Sequence, residues 1–133
     1  MHRVLCLHGY TQNAKKFRDR TGPFRRNMKR RMEMVYITGP IEATGFQKTE
    51  GEETMDEGPS AAWWNRGDDA KMWEEVKKST QMVVQVMRDQ GPFDGIVGFS
   101  QGAGMAAIVA GLMHSAAHSS EPYDGDVSGL IES

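Results

Sequence analysis

A serine flanked by glycines is the residue of this chain whose surroundings most clearly indicate chemistry. Ser100 stands at the centre of residues 98–102, which read GFSQG, after a short apolar run and before a segment rich in small residues. A serine in a G-x-S-x-G pattern lies on a sharp strand-to-helix turn, where small glycines let the two elements approach closely. The pentapeptide alone is a weak signal, but these flanks make it specific. We predict that Ser100 is a nucleophile for acyl transfer rather than a simple helix N-cap.

Attack by a serine hydroxyl on a carbonyl requires donors for the negative charge that develops on the oxygen. The first turn of a helix leaves backbone N–H groups unpaired, so we expect the Gln101 N–H to be the first donor. The second is expected from the loop after the first apolar run, at the Tyr10 N–H, with the Thr11 N–H as the alternative. His8 opens this loop, and we expect its ring to hold the loop by hydrogen bonds rather than to act as a base.

The histidines of the chain do not supply the expected proton acceptor. After such a serine the usual chain order is an acid and then a histidine. Here the histidines that follow Ser100 are His114 and His118, and no acid lies between the serine and either of them. This i, i+4 pair has too few ligands for a metal site, and we expect it at a solvated helix end. The sequence therefore predicts a hydrolase segment truncated before its catalytic Asp and His, with no metal or other cofactor.

A second motif overlaps the first. Residues 102–107 read GAGMAA and match the dinucleotide-binding pattern G-x-G-x-x-A. In that pattern the first glycine ends a strand, whereas Gly102 comes after the strand has ended at Phe99. The acid for a ribose contact, Glu121 or Asp124, lies in an irregular stretch of the chain. We therefore favour the nucleophile interpretation.

The elements that must position Ser100 alternate between strands and helices. Apolar runs predict strands over 4–7, 34–37 and 95–99, and capping signals with helical periodicity predict helices over about 14–21, 23–31, 69–90 and 101–113. One face of the third helix is predicted to be buried at Trp73, Val76, Thr80, Val83, Val84 and Met87. This order predicts an α/β fold with the first strand central, helices on both faces and Ser100 at the carboxyl edge of a parallel sheet.

A long stretch without periodicity, from Ile41 to Asn65, ends in the pair Trp63 and Trp64. Connections of this length are uncommon unless they are functional or mobile. Two interpretations remain open for the tryptophans. Both anchor the loop on the core, or one of them, Trp63 or Trp64, lines an apolar acyl pocket to which Thr11 also belongs.

Composition narrows the class of protein. The 133 residues carry a formal net charge of −2, which argues against a general nucleic-acid binder. The single cysteine, Cys6, excludes an intrachain disulfide and fits a cytoplasmic, or nuclear, location. No apolar run is long enough to span a membrane, and the N-terminus lacks a signal-peptide core.

Several segments together resemble the FSH family of serine hydrolases, which has an α/β-hydrolase fold. They are residues 5–13 (LCLHGYTQN), 17–18 (FR), 25–26 (RR), 39–40 (GP), 62–64 (AWW) and 91–103 (GPFDGIVGFSQGA). The resemblance implies a carboxylesterase or thioesterase, with Ser100 as nucleophile and with Tyr10 and Gln101 at the oxyanion hole. The family's catalytic Asp and His lie on later strands and loops, and the resemblance assigns no role to Asp124 or Asp126.

These observations define an expected architecture and two functions. We expect residues 1–114 to form the N-terminal part of a three-layer α/β/α hydrolase domain that lacks the later strands, and residues 115–133 to be a disordered tail. The strand over 95–99 should then present an open edge through which the chain self-associates. The first function is hydrolysis of a small acyl ester or thioester. The alternative is an inactive isoform or degenerate copy that binds an acyl ligand or a protein partner.

Overall fold

The computed structural model describes residues 1–45 and 58–118. In chain order its elements are β1 (His2–Leu7), α1 (Ala14–Arg20), α2 (Gly22–Met28), β2 (Met32–Ile37), β3 (Ile41–Glu42), β4 (Ala61–Ala62), α3 (Asp69–Gln90), β5 (Gly95–Gly98) and α4 (Gln101–Ala117). The middle of the predicted long connection and most of the predicted tail lie outside the described residues. The helix α4 continues through residues 115–117, which the sequence assigned to that tail.

The main sheet has the predicted strand order. Its three strands are arranged β2-β1-β5 and all run parallel. The central strand β1 pairs along its full length with β2, from His2 opposite Met32 to Leu7 opposite Ile37. Its other side pairs with β5, where Leu7 lies opposite Gly98. The carboxyl ends of β1 and β5 therefore meet at one edge, and Ser100 follows directly from that edge.

Helices cover both faces of this sheet, which confirms the three-layer α/β arrangement. Alternate residues of a strand point to opposite faces, and β1 divides its apolar side chains accordingly. Leu5 and Leu7 pack in a core with side chains of α3 and α4, among them Val83 and Val109. On the other face Val4 and Cys6 pack with Phe17 of α1.

Side-chain caps begin two of the helices, as the sequence predicted. Asn13 accepts the Lys16 N–H at the start of α1, and Asp68 accepts the Lys71 N–H at the start of α3. The buried face of α3 differs from the prediction at one end. Trp73, which was predicted to be buried, is 44 % exposed. Ser79, which was not, is fully buried, and its hydroxyl donates to the Trp63 carbonyl oxygen at 2.6 Å.

A second, two-stranded sheet was not predicted. The strands β3 and β4 pair antiparallel, with Ile41 opposite Ala62 and Glu42 opposite Ala61. Two further backbone bonds join β4 to the loop after β1, because Thr11 N–H donates to the Ala61 carbonyl oxygen and Ala61 N–H donates to that of Gln12. This small sheet brings the tryptophan pair beside Ser100.

The strand β5 is an edge within the described part of the chain, since its only partner there is β1. Val97 is 39 % exposed and Phe99 is 55 % exposed at this edge. No helix in residues 1–45 or 58–118 is both long enough and apolar enough to cross a membrane.

Candidate active site

The backbone at Ser100 has the conformation of a strained turn. Its φ is 54° and its ψ is −116°, a positive φ that residues other than glycine seldom adopt. Such a conformation costs about 1–3 kcal/mol and persists only where the surroundings enforce it. Ser100 occupies the N-cap position of α4, yet its side chain makes no capping hydrogen bond. The exposed hydroxyl is therefore not occupied as a helix cap.

The two glycines of the motif allow three backbone segments to pack around this turn. A Cβ atom on Gly98 would overlap the carbonyl group of Gly102. One on Gly102 would overlap the carbonyl oxygens of Leu7 and His8 at the end of β1. Glycine is therefore required at both positions by close approach, as the sequence pattern predicted.

Two backbone N–H groups beside Ser100 have no hydrogen-bond acceptor among residues 1–45 and 58–118. Within the described residues neither the Tyr10 N–H nor the Gln101 N–H donates a hydrogen bond. The Thr11 N–H, the alternative donor, is instead committed to the Ala61 carbonyl oxygen at 2.9 Å. The loop itself is closed by Gln12, whose side-chain oxygen accepts the Gly9 N–H at 2.9 Å.

His8 is part of the scaffold behind this loop. Its Nε2 accepts the Gly39 N–H at 2.9 Å, and its Nδ1 lies 2.7 Å from the Gly9 carbonyl oxygen. An acceptor at Nε2 and a donor at Nδ1 define a neutral imidazole. Burial lowers the pKa of His8, although the hydrogen bond to Gly9 acts in the opposite direction. Both ring nitrogens are thus occupied, and neither is available to Ser100.

The two adjacent tryptophans have different positions in the structure. Trp63 is completely buried, stacks on His8 with ring centroids 5.0 Å apart, and donates its indole N–H to the His8 carbonyl oxygen at 2.8 Å. Trp64 is half-buried and lines a cavity that also contains Ser100. Trp63 therefore anchors the loop on the core, and Trp64 forms part of the cavity wall.

The cavity has a volume of about 420 Å³, which lies within the range of small-molecule sites. Its lining residues are Tyr10, Thr44, Gly45, Trp64, Arg66, Ser100 and Gln101. Thr11 and Trp63, which the sequence associated with a pocket, are not among them. Thr44, Gly45 and Arg66 had no sequence signal, because they approach Ser100 only through the pairing of β3 with β4.

Hydrogen bonds hold the side of the cavity formed by residues 44 and 45. The Tyr10 hydroxyl donates to Asn65 Oδ1 at 2.7 Å and accepts the Gly45 N–H at 2.8 Å. The same Asn65 oxygen accepts the Thr44 N–H at 3.0 Å, and the Asn65 amide donates to the Glu42 carbonyl oxygen at 2.8 Å. Asn65, the residue directly after the tryptophan pair, is a structural centre that sequence reasoning missed.

Comparison with known proteins shows the family to which this chain belongs. The chain matches the family model described as Serine hydrolase (FSH1) over residues 1–126. The chain belongs to the FSH1 family of serine hydrolases. This chain is 34 % identical over 125 residues to esterase OVCA2 of Mus musculus, a match that covers 83 % of this chain and 55 % of the mouse protein.

Other relatives give the same picture. Esterase OVCA2 of Danio rerio is 32 % identical over 126 residues, covering 83 % of this chain and 56 % of the fish protein. Esterase CG5412 of Drosophila melanogaster is 36 % identical over 118 residues, covering 83 % of this chain and 41 % of the fly protein. The FSH1 chain therefore spans about half the length of the curated relatives that it matches.

The four histidines of this FSH1 chain all lie within the described residues, and none is placed to take a proton from Ser100. His114 and His118 lie at the far end of α4, about 21 Å and about 27 Å from its N-cap at a rise of ~1.5 Å per residue. His2 begins β1 at the opposite edge of the sheet. Together with the occupied ring of His8, this leaves Ser100 without a histidine base in the structure.

The overlapping dinucleotide pattern does not form a phosphate-binding turn in this family member. Gly102 and Gly104 lie inside α4 rather than between strand and helix. In the described parts of the chain, no group of three or more His, Cys, Asp or Glu side chains is arranged to hold a metal ion.

Proposed function

We propose that this FSH1 family member provides the nucleophile, the oxyanion hole and the acyl pocket of a carboxylesterase or thioesterase. One observation carries the proposal. The Ser100 hydroxyl makes no capping hydrogen bond, lies on a turn with positive φ and shares a cavity with Tyr10 and Trp64. It stands beside two N–H groups that are unpaired within the described parts of the chain. The aromatic walls fit an acyl chain, and the esterase names of the relatives support the reaction class.

In the proposed reaction the Ser100 oxygen attacks the carbonyl carbon of an ester or thioester. The carbonyl oxygen becomes negative and accepts the N–H groups of Tyr10 and Gln101, which need no reorientation at that moment. Collapse breaks the bond to the alcohol or thiol, which leaves with a proton, and an acyl-serine remains. Water then attacks this ester, releases the carboxylic acid and restores Ser100.

The proton acceptor in this proposal is not one of the four histidines. The esterase relatives are about twice as long as the region that matches this chain. We propose that the base is a histidine in a region equivalent to the unmatched part of these relatives, and that it takes the Ser100 proton. A serine hydroxyl without an adjacent base is a weak nucleophile. The 133-residue chain by itself is therefore expected to hydrolyse esters slowly.

The positions of the histidines also favour a second candidate function. A site with an acyl pocket and oxyanion donors but no base would bind an acyl ligand without turning it over. This is the inactive-copy alternative, and it requires the same cavity. The two functions differ in turnover, so one experiment separates them.

The test combines covalent labelling with turnover. A fluorophosphonate probe and a short-chain nitrophenyl ester are applied to the 133-residue chain, to Ser100→Ala and to Ser115→Ala, an exposed serine on the same helix. We expect slow labelling that approaches one label per chain on long incubation with excess probe, retained in Ser115→Ala and absent from Ser100→Ala. Equal labelling of Ser100→Ala would contradict a nucleophilic Ser100. Slow turnover that depends on Ser100 would overturn the second candidate, and fast turnover that depends on Ser100 would also show that the chain itself supplies a base.

Two further parts of the proposal concern context. We propose that the open edge of β5 mediates self-association, because Val97 and Phe99 are exposed there. We also propose a reducing location, in the cytoplasm or nucleus, on the basis of the single buried thiol of Cys6.

A further inference from the structure

The side chain of Gln101 joins the nucleophile turn to the tryptophan pair. Its Oε1 accepts the Trp63 N–H at 2.8 Å, and its Nε2 donates to the Trp64 carbonyl oxygen at 2.8 Å. Both functional groups of the carboxamide are therefore used, on the backbone of two successive residues. The partners are 37 and 38 residues away in the chain, so the contact exists only in the folded protein.

These two bonds have different importance for the two tryptophans. Trp63 is also held by its indole bond to His8 and by the Ser79 hydroxyl on its carbonyl oxygen. Within the described residues the bond from Gln101 is the one hydrogen bond that Trp64 makes. Loss of the Gln101 side chain would therefore remove the hydrogen bond of Trp64 and leave it held by packing against the core and by its anchored neighbours Trp63 and Asn65.

The ring of Trp64 is also positioned from the nucleophile side. A Cβ atom on Gly104, in the first turns of α4, would lie 3.1 Å from Trp64 Cη2. The indole thus rests on the helix that begins after Ser100, while Gln101 holds its backbone. Gln101 thus carries both the N–H proposed for the oxyanion hole and the side chain that bonds the Trp64 carbonyl oxygen.

We propose that Gln101 is a positioning residue that couples recognition of the acyl chain to the oxyanion hole. The proposal rests on the function proposed for Ser100. Gln101 carries the proposed oxyanion N–H, and its side chain holds the backbone of Trp64. An acyl chain in contact with Trp64 therefore has its carbonyl group at a defined distance from the Gln101 N–H. Binding of the remote chain is thereby used to orient the reacting group. The side chain of Gln101 then determines the preference for long over short acyl chains.

The test measures phosphonylation of Ser100 by fluorophosphonates with a short and a long alkyl chain. The reaction forms an Oγ–P bond and releases fluoride, and the mass of the intact chain reports it. The variants are Gln101→Met, which keeps the length of the side chain but removes both bonds, and Gln101→Glu. Gln85→Met is the matched control, because Gln85 lies on the exposed face of α3 and bonds to Asp89.

We expect the unmodified chain and Gln85→Met to react faster with the long probe. In Gln101→Met the ratio of long-chain to short-chain rate should fall roughly five- to tenfold, the amount associated with loss of one or two neutral hydrogen bonds. Gln101→Met with an unchanged ratio would overturn the proposal. A long-to-short ratio near one in the unmodified chain would also overturn it while leaving Ser100 as nucleophile. Absence of labelling at Ser100 even after long incubation with excess probe would overturn the proposed function itself.

Gln101→Glu supplies a readout that a purely structural role would not move. A carboxylate keeps the acceptor for the Trp63 N–H but loses the donor to the Trp64 carbonyl oxygen. A protonated carboxyl group regains that donor. The long-to-short ratio of Gln101→Glu should therefore rise toward that of the unmodified chain as the pH falls from about 6 to about 4, the range in which an ordinary glutamate gains its proton, whereas the unmodified chain keeps its ratio. A ratio in Gln101→Glu that does not change with pH would contradict the proposal even if Gln101→Met fails to fold.

Discussion

His8 and Trp63 are joined twice, by stacked rings and by a hydrogen bond from the indole N–H to the His8 carbonyl oxygen. The ring centroids are 5.0 Å apart, and the bond of 2.8 Å links residues separated by 55 positions in the chain. Both side chains are completely buried. The relationship fixes the loop after β1, which carries the Tyr10 N–H, against the segment that carries Trp64.

The protonation of His8 should make stability depend on pH. Burial lowers the pKa of His8 below its usual value of 6.5, so the unfolded chain binds this proton at a higher pH than the folded chain does. The contribution of His8 is therefore complete above about pH 6.5 and is lost as the pH falls through the lower pKa of the folded state. Urea unfolding followed between pH 8 and pH 5, a range on the order of the histidine titration, measures this loss.

Variants assign that pH dependence to one histidine. We expect His8→Gln to lower the free energy of unfolding by roughly 1–3 kcal/mol because buried partners lose a hydrogen bond. The remaining stability should depend less on pH than in the unmodified chain. His118→Gln, at the exposed end of α4, should keep the original dependence. Identical pH profiles for the unmodified chain and His8→Gln would contradict the prediction.

Glycines in α4 should respond in opposite directions to alanine. Gly102→Ala places a Cβ against the Leu7 and His8 carbonyl oxygens, and we expect the free energy of unfolding to fall by roughly 1–3 kcal/mol or more. At Gly111 nothing lies within 4 Å of the added Cβ, so Gly111→Ala should stabilise by about 0.5–1 kcal/mol through helix propensity. The urea concentrations at the unfolding midpoints of the two variants, compared with that of the unmodified chain, test both expectations. Similar midpoints would show that the packing around Ser100 is looser than the structure indicates.

The thiol of Cys6 should be unreactive in the native protein. It is completely buried, and burial raises its pKa to about 11, so little thiolate forms at neutral pH. Ellman's reagent should modify one thiol per chain in urea and almost none within minutes in native buffer. Cys6→Ala provides the blank. Rapid stoichiometric reaction of the native protein would show that the β1 core opens readily.

A lysine on the exposed edge should reduce the proposed self-association. Val97 is 39 % exposed on β5, and a charge beside an open strand opposes pairing with another strand. Sedimentation over a range of micromolar concentrations should show a shift toward monomer for Val97→Lys. Met113→Lys is the matched control, since Met113 is 38 % exposed on α4, away from the edge. A monomeric unmodified chain over the whole range would exclude association through β5.

Local sequence determined the strands, most helix starts and the position of Ser100. The apolar runs predicted three parallel strands, and the capping side chains of Asn13 and Asp68 marked helix starts that the structure shows. The glycines of residues 98–102 predicted the turn because the motif itself is local and their role is steric, although Gly102 also makes room for the Leu7 and His8 carbonyl groups at the end of β1. Each of these features depends on backbone sterics or on periodicity within one segment, which a sequence displays directly.

Tertiary structure alone decided what the polar side chains contact. Two adjacent tryptophans look equivalent in sequence, yet the pairing of β3 with β4 places Trp63 in the core and Trp64 at the cavity. The sequence offered the Thr11 N–H as an alternative oxyanion donor, but in the fold this N–H bonds to the Ala61 carbonyl oxygen. Nothing in the sequence indicated the two hydrogen bonds of the Gln101 side chain. The partners in these contacts lie tens of residues apart, and no periodicity encodes such pairs. Only packing of the folded chain brings them within hydrogen-bonding distance.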